Sequence, residues 1–201
     1  MKKLLFLVVA FTAFYCSSVH SIALGRSTSF SLLKSSTGWF AAGSKPRSYE
    51  MGVTTDEHHS GKSCAFIRSK EDSIQGFGTY MQEILPGEYL NKSIKFSAYI
   101  KTKNVKGWVG LWMRTDGPKQ TLSFDNMHNR PISGTTDWQK YEIILDVPKN
   151  AKDIAFGVLE NSTGEVFFDD VQFEILGPPQ GNLGTVGSEA LKQPINLDFE
   201  Q

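Results

Sequence analysis

The segment Gly107 to Asp116 carries residues whose types and spacing could do chemistry. In an extended strand, successive side chains point to opposite faces. Trp108, Gly110, Trp112, Arg114 and Asp116 therefore share one face, and Val109, Leu111, Met113 and Thr115 share the other. The second set is apolar or small and reads as core. The first mixes flat aromatic rings with charge. That mixture suits sugar recognition, in which rings stack on the apolar face of a pyranose and planar polar groups take paired hydroxyls. Tyr80 and Gln82 share a face on a preceding strand, and Asp125 and Asn126 end a following short one. The candidate ligand-binding set is thus Tyr80, Gln82, Trp108, Trp112, Arg114, Asp125 and Asn126. The competing reading is packing: tryptophans covered by loops, with Arg114 paired to Asp116 or Asp125.

Catalytic chemistry finds less to work with, and an enzyme is not expected. The chain has no Gly-x-Ser-x-Gly, no His-Glu-x-x-His and no phosphate-cradling glycine loop. Cys64 sits in the apolar run Cys64-Ala65-Phe66-Ile67 with no evident base, so it reads as a small buried residue. His58 and His59 are adjacent on a polar loop and splay apart. Asp169 and Asp170 are neighbours on one strand and point to opposite faces. They are not the facing carboxylate pair that glycoside hydrolysis needs.

Those residues need strands to position them. Tyr141, Ile143 and Leu145 alternate with Glu142, Ile144 and Asp146, and Pro148-Lys149-Asn150 ends the run. Ile154, Phe156 and Val158 alternate with Ala155, Gly157 and Leu159, and Val166 to Ile175 follows a polar turn. Apolar residues on both parities suit strands with one face in a core and the other partly covered. Upstream, strands are expected at Tyr49–Val53, Ser63–Ser69, Phe77–Ile84, Ile94–Lys103, Gly107–Asp116 and Thr121–Asn126, with Met127–Thr136 a loop. Trp39 and Trp138 lie near strand entries and read as core pegs. Nine or ten short strands with turn residues every eight to twelve positions indicate an all-β antiparallel sandwich.

Met1 to Ala23 has the layout of an export leader: Lys2-Lys3, an apolar run from Leu4 to Tyr15, then small residues before Leu24. Its removal leaves Cys64 as a lone cysteine, so no internal disulfide is expected. The formal net charge of +0 becomes −2, with 19 basic against 21 acidic side chains. A secreted or periplasmic chain is expected, with no membrane span and no nucleic-acid partner, since no basic patch is evident.

The closing strands resemble those of galactose-binding-like jelly rolls, the fold of many carbohydrate-binding modules. The matching residues are Thr136 to Tyr141, a strand ending at Pro148, Ile154 to Gly157, and Val166-Phe167-Phe168-Asp169-Asp170-Val171. Gly38-Trp39-Phe40, Tyr49-Glu50, His59 to Ser63 and Ser93 to Lys101 fit the same pattern. The resemblance spans Gly38 to Leu176 and implies a jelly-roll β-sandwich. It also implies a structural calcium shared between Asp170 and a glutamate near the first strand. That glutamate is missing from the lead-in, where Phe30-Ser31-Leu32 stands. The only Phe-Glu in the right idiom is Phe199-Glu200, at the far end of the chain. The competing reading of Asp169-Asp170 is a solvated or turn-capping pair. No cofactor is expected beyond this candidate calcium.

The expected organisation is a leader (1–23), a galactose-binding-like sandwich (24–176) and a linker or tail (177–201) with a candidate terminal strand. Gly177 to Lys192 is rich in Gly and Pro, and Asn196-Leu197-Asp198-Phe199-Glu200 looks like the opening strand of such a domain. It could begin a second module, be a short tail, or fold back in place of a degenerate first strand. The function expected is a secreted, non-catalytic module binding carbohydrate or a similar polar ligand. A structural or interaction module, including one that is a fragment of a larger multidomain extracellular enzyme, is the alternative.

Overall fold

Alternating apolar patterning gives nine antiparallel strands: β1 (Phe40–Gly43), β2 (Tyr49–Thr54), β3 (Cys64–Ser69), β4 (Phe77–Ile84), β5 (Lys92–Asp116), β6 (Thr121–Asp125), β7 (Ile132–Val147), β8 (Asp153–Asn161) and β9 (Glu165–Gly177). Two short 3-10 turns, Pro46–Ser48 and Gly87–Tyr89, are the only helical pieces among the described residues. This computed structural model describes residues 37–181 and 194–200. The expected leader lies outside the described residues, as does linker segment 182–193.

The strands form a jelly-roll sandwich of two layers. One runs β1-β4-β8-β5-β6 and the other β2-β3-β9-β5-β7. β5 belongs to both layers. Its first half, from Ser93 to Lys103, pairs with β9, and its second half, from Trp108 to Asp116, pairs with β8. The expected break between Lys103 and Gly107 is therefore a bend within one 25-residue strand. Register shifts against β7 fall between Thr102, Val105 and Val109, and Asn104 takes a positive φ of 54°. Such irregularities bend a strand without ending it. Gly107 has a steric role here, because a Cβ at that position would fall on the Asn161 carbonyl oxygen.

β7 begins earlier than the sequence suggests. Ile132 to Thr136 pairs with the bent part of β5, at Val109, Val105 and Thr102, despite Pro131 and Gly134. Non-local pairing has overridden local turn propensity there.

Between the layers lie Val109, Leu111 and Met113 from β5, Ile154, Phe156 and Val158 from β8, and Phe96, Ile143, Phe168 and Trp39. Trp39 is a core peg as expected. Trp138 is not: it is half-buried on the outer side of the second layer, against Cys64, Phe66 and Phe167. The Cys64 thiol is fully buried, and burial raises its pKa far above the usual range.

The tail returns to the sandwich as turn and coil, not as a strand. Phe199 is fully buried against Trp39 and Phe168, at ring-centroid distances of 5.2 Å to each. The Val171 amide donates to the Leu197 carbonyl at 3.1 Å. Residues 194–200 thus pack back onto the sandwich, without forming the expected terminal strand.

Candidate functional site

The outer face of the first layer carries a groove enclosing about 360 Å³. β5 contributes Trp108, Trp112 and Arg114, as the alternation predicts. β4 contributes Thr79 and Met81, β8 contributes Leu159 and Asn161, and Phe124 and Asn126 close one side. The groove is mostly apolar, with Arg114, Asn126, Asn161 and Thr79 as its polar groups. Glycines keep its floor low. A Cβ at Gly110 would meet the Asn126 carbonyl at 2.7 Å, and one at Gly157 would strike the Tyr80 carbonyl. Gly157 lies directly across from Trp112 in the β5–β8 register, so the indole rests over a bare stretch of backbone.

Trp112 is 7% exposed, and its Nε1 donates to Thr79 Oγ1 at 2.7 Å. Thr79 in turn donates to the Val158 carbonyl at 2.7 Å. Trp112 is thus the groove's fixed floor. Trp108 is half-buried and stands edge-on to His128, 5.3 Å between ring centroids. It is the more accessible ring. Arg114 donates through Nε and Nη2 to Asp116 Oδ2, both at 3.0 Å, which holds its guanidinium in place. The pairing reading and the groove reading of Arg114 therefore both describe it. Asp116 is fully buried. Burial pushes its carboxyl up to about 7, against the pull of Arg114 and with Asp153 adding.

The structure brings together four of the seven expected site residues: Trp108, Trp112, Arg114 and Asn126. Tyr80 and Gln82 face inward instead. Tyr80 stacks on Trp39 at 5.6 Å, and Gln82 is fully buried with its amide bound to the Ile195 backbone. β4 alternates Thr79-Tyr80-Met81-Gln82, and the aromatic ring drew the sequence reading to the wrong parity. Asp125 sits beside the groove but is held by Arg130 at 2.6 Å and by the Met127 amide at 2.8 Å. The missed lining residues Thr79 and Met81 sit on the other parity of β4; Met81 lies across from Gly157, and Gly157 from Trp112, a register that the sequence does not carry.

Asp170, the candidate metal ligand, lies with Oδ2 2.6 Å from His59 Nδ1 and accepts from Ser60 Oγ at 2.6 Å. Buried Asp169 accepts the His59 and Ser60 amides at 2.8 and 3.0 Å. Glu200 accepts the Lys62 and Ser63 amides at 2.7 and 2.8 Å. The three carboxylates thus cap one loop, Asp56 to Ser63. Among the described residues no three His, Cys, Asp or Glu side chains converge as a metal site. This donor arrangement fits loop capping rather than the calcium that the resemblance implies.

No protein-family model matches the chain. An uncharacterized HTH-type transcriptional regulator of Bacillus subtilis (strain 168), YbfP, is 42% identical to it over 172 residues, covering 84% of this chain and 58% of the relative. The chain thus spans little more than half the relative's length. Among solved structures, the CBM22-1 xylan-binding domain of Paenibacillus barcinonensis Xyn10C superposes with a TM-score of 0.54 at 15% identity, over 72% of this chain and 90% of that one. A cyclase from Fischerella sp. TAU superposes with a TM-score of 0.50 at 13% identity, over 77% and 94%. At such identities these superpositions show the fold alone, an all-β jelly-roll sandwich of the carbohydrate-binding-module kind. The Bacillus relative corrects the functional expectation. A chain 42% identical over most of this sequence is named a regulator of transcription, which contradicts the expected role as a binding module and its structural or interaction alternative. The expected exclusion of nucleic acid is not supported. No helix among the described residues is long and apolar enough to cross a membrane.

Proposed function

We propose that this sandwich is the effector-sensing part of a transcriptional regulator, and that its effector binds in the groove of Trp108, Trp112 and Arg114. The observation that carries this is a shaped groove on a domain that a regulator-named relative shares. The match covers 84% of the chain, so it takes in most of the sandwich. The effector class that suits the lining is a small ring-bearing polyol of the carbohydrate kind. Its apolar face would lie on Trp108 and Met81, and its hydroxyls would meet Arg114, Asn126 and Asn161. The groove binds rather than reacts in this reading. Arg114 is the one ionisable group in its described lining, which offers neither a nucleophile nor an acid–base pair.

Two measurements test it. A thermal-shift screen of mono- and disaccharides should find ligands that raise the melting temperature of the wild-type chain but not of Arg114→Ala. One site filled to a hundredfold excess over its dissociation constant adds about 2.7 kcal/mol. In the organism that makes the chain, deleting its gene should change the transcripts of a discrete gene set, and the Arg114→Ala allele should restore them without effector dependence. Unchanged transcripts would remove the regulator, and equal thermal shifts in the two chains would remove the groove.

A further inference from the structure

The slot that takes the tail is built from groups otherwise left without partners. Gln82 is fully buried on β4 and uses both ends of its amide on one residue: Nε2 donates to the Ile195 carbonyl at 2.6 Å, and Oε1 accepts the Ile195 amide at 3.3 Å. The buried Trp39 indole donates to the Asn196 carbonyl at 3.3 Å. Ser63 Oγ donates to the Phe199 carbonyl at 2.7 Å. Phe199 fills a space walled by Trp39 and Phe168, and Glu200 lies on the Lys62 and Ser63 amides. Take the segment away, and a buried amide, a buried indole N–H and an aromatic-sized hole remain inside the core. Each is costly to leave unfilled.

Most of these contacts read the backbone of the occupant. Two of its side chains are read as well, the aromatic ring and the carboxylate that follows it. Backbone read by hydrogen bonds, with pockets for selected side chains, is a mode of peptide recognition. We infer that this slot is a peptide-acceptor site, specific for a turn-forming segment that ends in Phe-Glu, and that residues 194–200 occupy it as a ligand tethered in cis. None of the contacts depends on covalent continuity with β9, so the same segment offered as a free peptide is a competent ligand.

The probe is a fluorescein-labelled peptide of residues 194–201, titrated by anisotropy into the full chain. A tethered occupant competes at an effective concentration on the order of millimolar. The Phe199→Ala full chain, whose own tail has lost its anchor, should therefore bind the peptide at least about tenfold more tightly than the wild-type chain does. Peptides with Ala in place of the Phe or the Glu should lose at least about tenfold on the Phe199→Ala chain. Equal binding to both chains, no binding to either, or undiminished binding of the Ala peptides would overturn the site. If the Phe199→Ala chain does not melt cooperatively, added wild-type peptide should restore a cooperative melt, and failure to do so at about 1 mM overturns the site equally. The Glu200→Ala full chain, altered only at an exposed side chain, should show the same ordering with a smaller ratio, and wild-type-like binding there would count against the carboxylate pocket.

Discussion

Trp112 and Leu111 are neighbours on β5 that face opposite ways, yet both are nearly or wholly buried. Trp112→Ala should therefore destabilise about as much as Leu111→Ala, roughly 3–5 against 2–5 kcal/mol in urea unfolding. The informative platform variant is Trp108→Ala, at a half-buried ring. It should cost under about 1 kcal/mol of stability and weaken effector binding by roughly 2 kcal/mol, as an interface anchor does. Glu160 poses a different question. It is fully buried on β8, and neither carboxylate oxygen has a hydrogen-bond partner among the described residues. Burial, with Glu165 adding, pushes its acid up to about 8. Below about pH 4.5 the folded and unfolded chains both hold this proton. Between there and about pH 8 only the unfolded chain releases it, so the folded state loses stability as pH rises. Asp116, pushed up to about 7, acts in the same direction. Glu160→Gln should melt higher than wild type at pH 8, by an amount on the order of a few kcal/mol in stability, with the gap closing towards pH 4.5. A gap independent of pH would mean that Glu160 is ionised in the folded chain.

At the level of elements, the bend in β5 is the device that joins the layers, and its glycine can be tested against another. Gly107→Ala forces a methyl onto the Asn161 carbonyl, whereas a Cβ at Gly134 meets nothing within 4 Å. Gly134→Ala carries only the strain of its φ of 73°, about 1 kcal/mol. Gly107→Ala should cost more, roughly 2–3 kcal/mol, and should open the groove side of β5. Thermal melts of the two variants compare them directly. The same element shows how far the sequence could be read. The alternation in Gly107–Asp116 assigned Val109, Leu111 and Met113 to the core and Trp108, Trp112 and Arg114 to the other face, because period-two geometry is local. Continuity with Ile94–Lys103 was not legible. A glycine next to charged residues looks like a turn until the partners β7, β8 and β9 are known. Tyr80 failed for a related reason. On β4 both parities are buried, so composition could not tell the groove face from the core face.

For the whole molecule, the jelly roll was legible because punctuation and patterning recur along the chain, whereas the role was not, since one fold serves many functions. The folding back of Phe199-Glu200 was open for a physical reason. A five-residue segment carries no signal of which domain it completes until the vacancy between Trp39 and Phe168 is seen. That placement has a thermodynamic consequence. β4 presents Thr79 and Met81 to the groove and Gln82 to the tail, so a single strand is the wall of both sites. Any free energy by which an occupied groove changes the hold on the tail must reappear, equal in size, as a change that the tail makes in groove affinity. Anisotropy of the labelled peptide on the Phe199→Ala chain, measured with and without saturating effector, gives the coupling factor. A twofold to tenfold factor corresponds to about 0.4–1.4 kcal/mol carried across one strand. A factor of one would mean that the two faces of β4 are energetically insulated, and that a signal leaving the groove must travel through β5 or β8 instead.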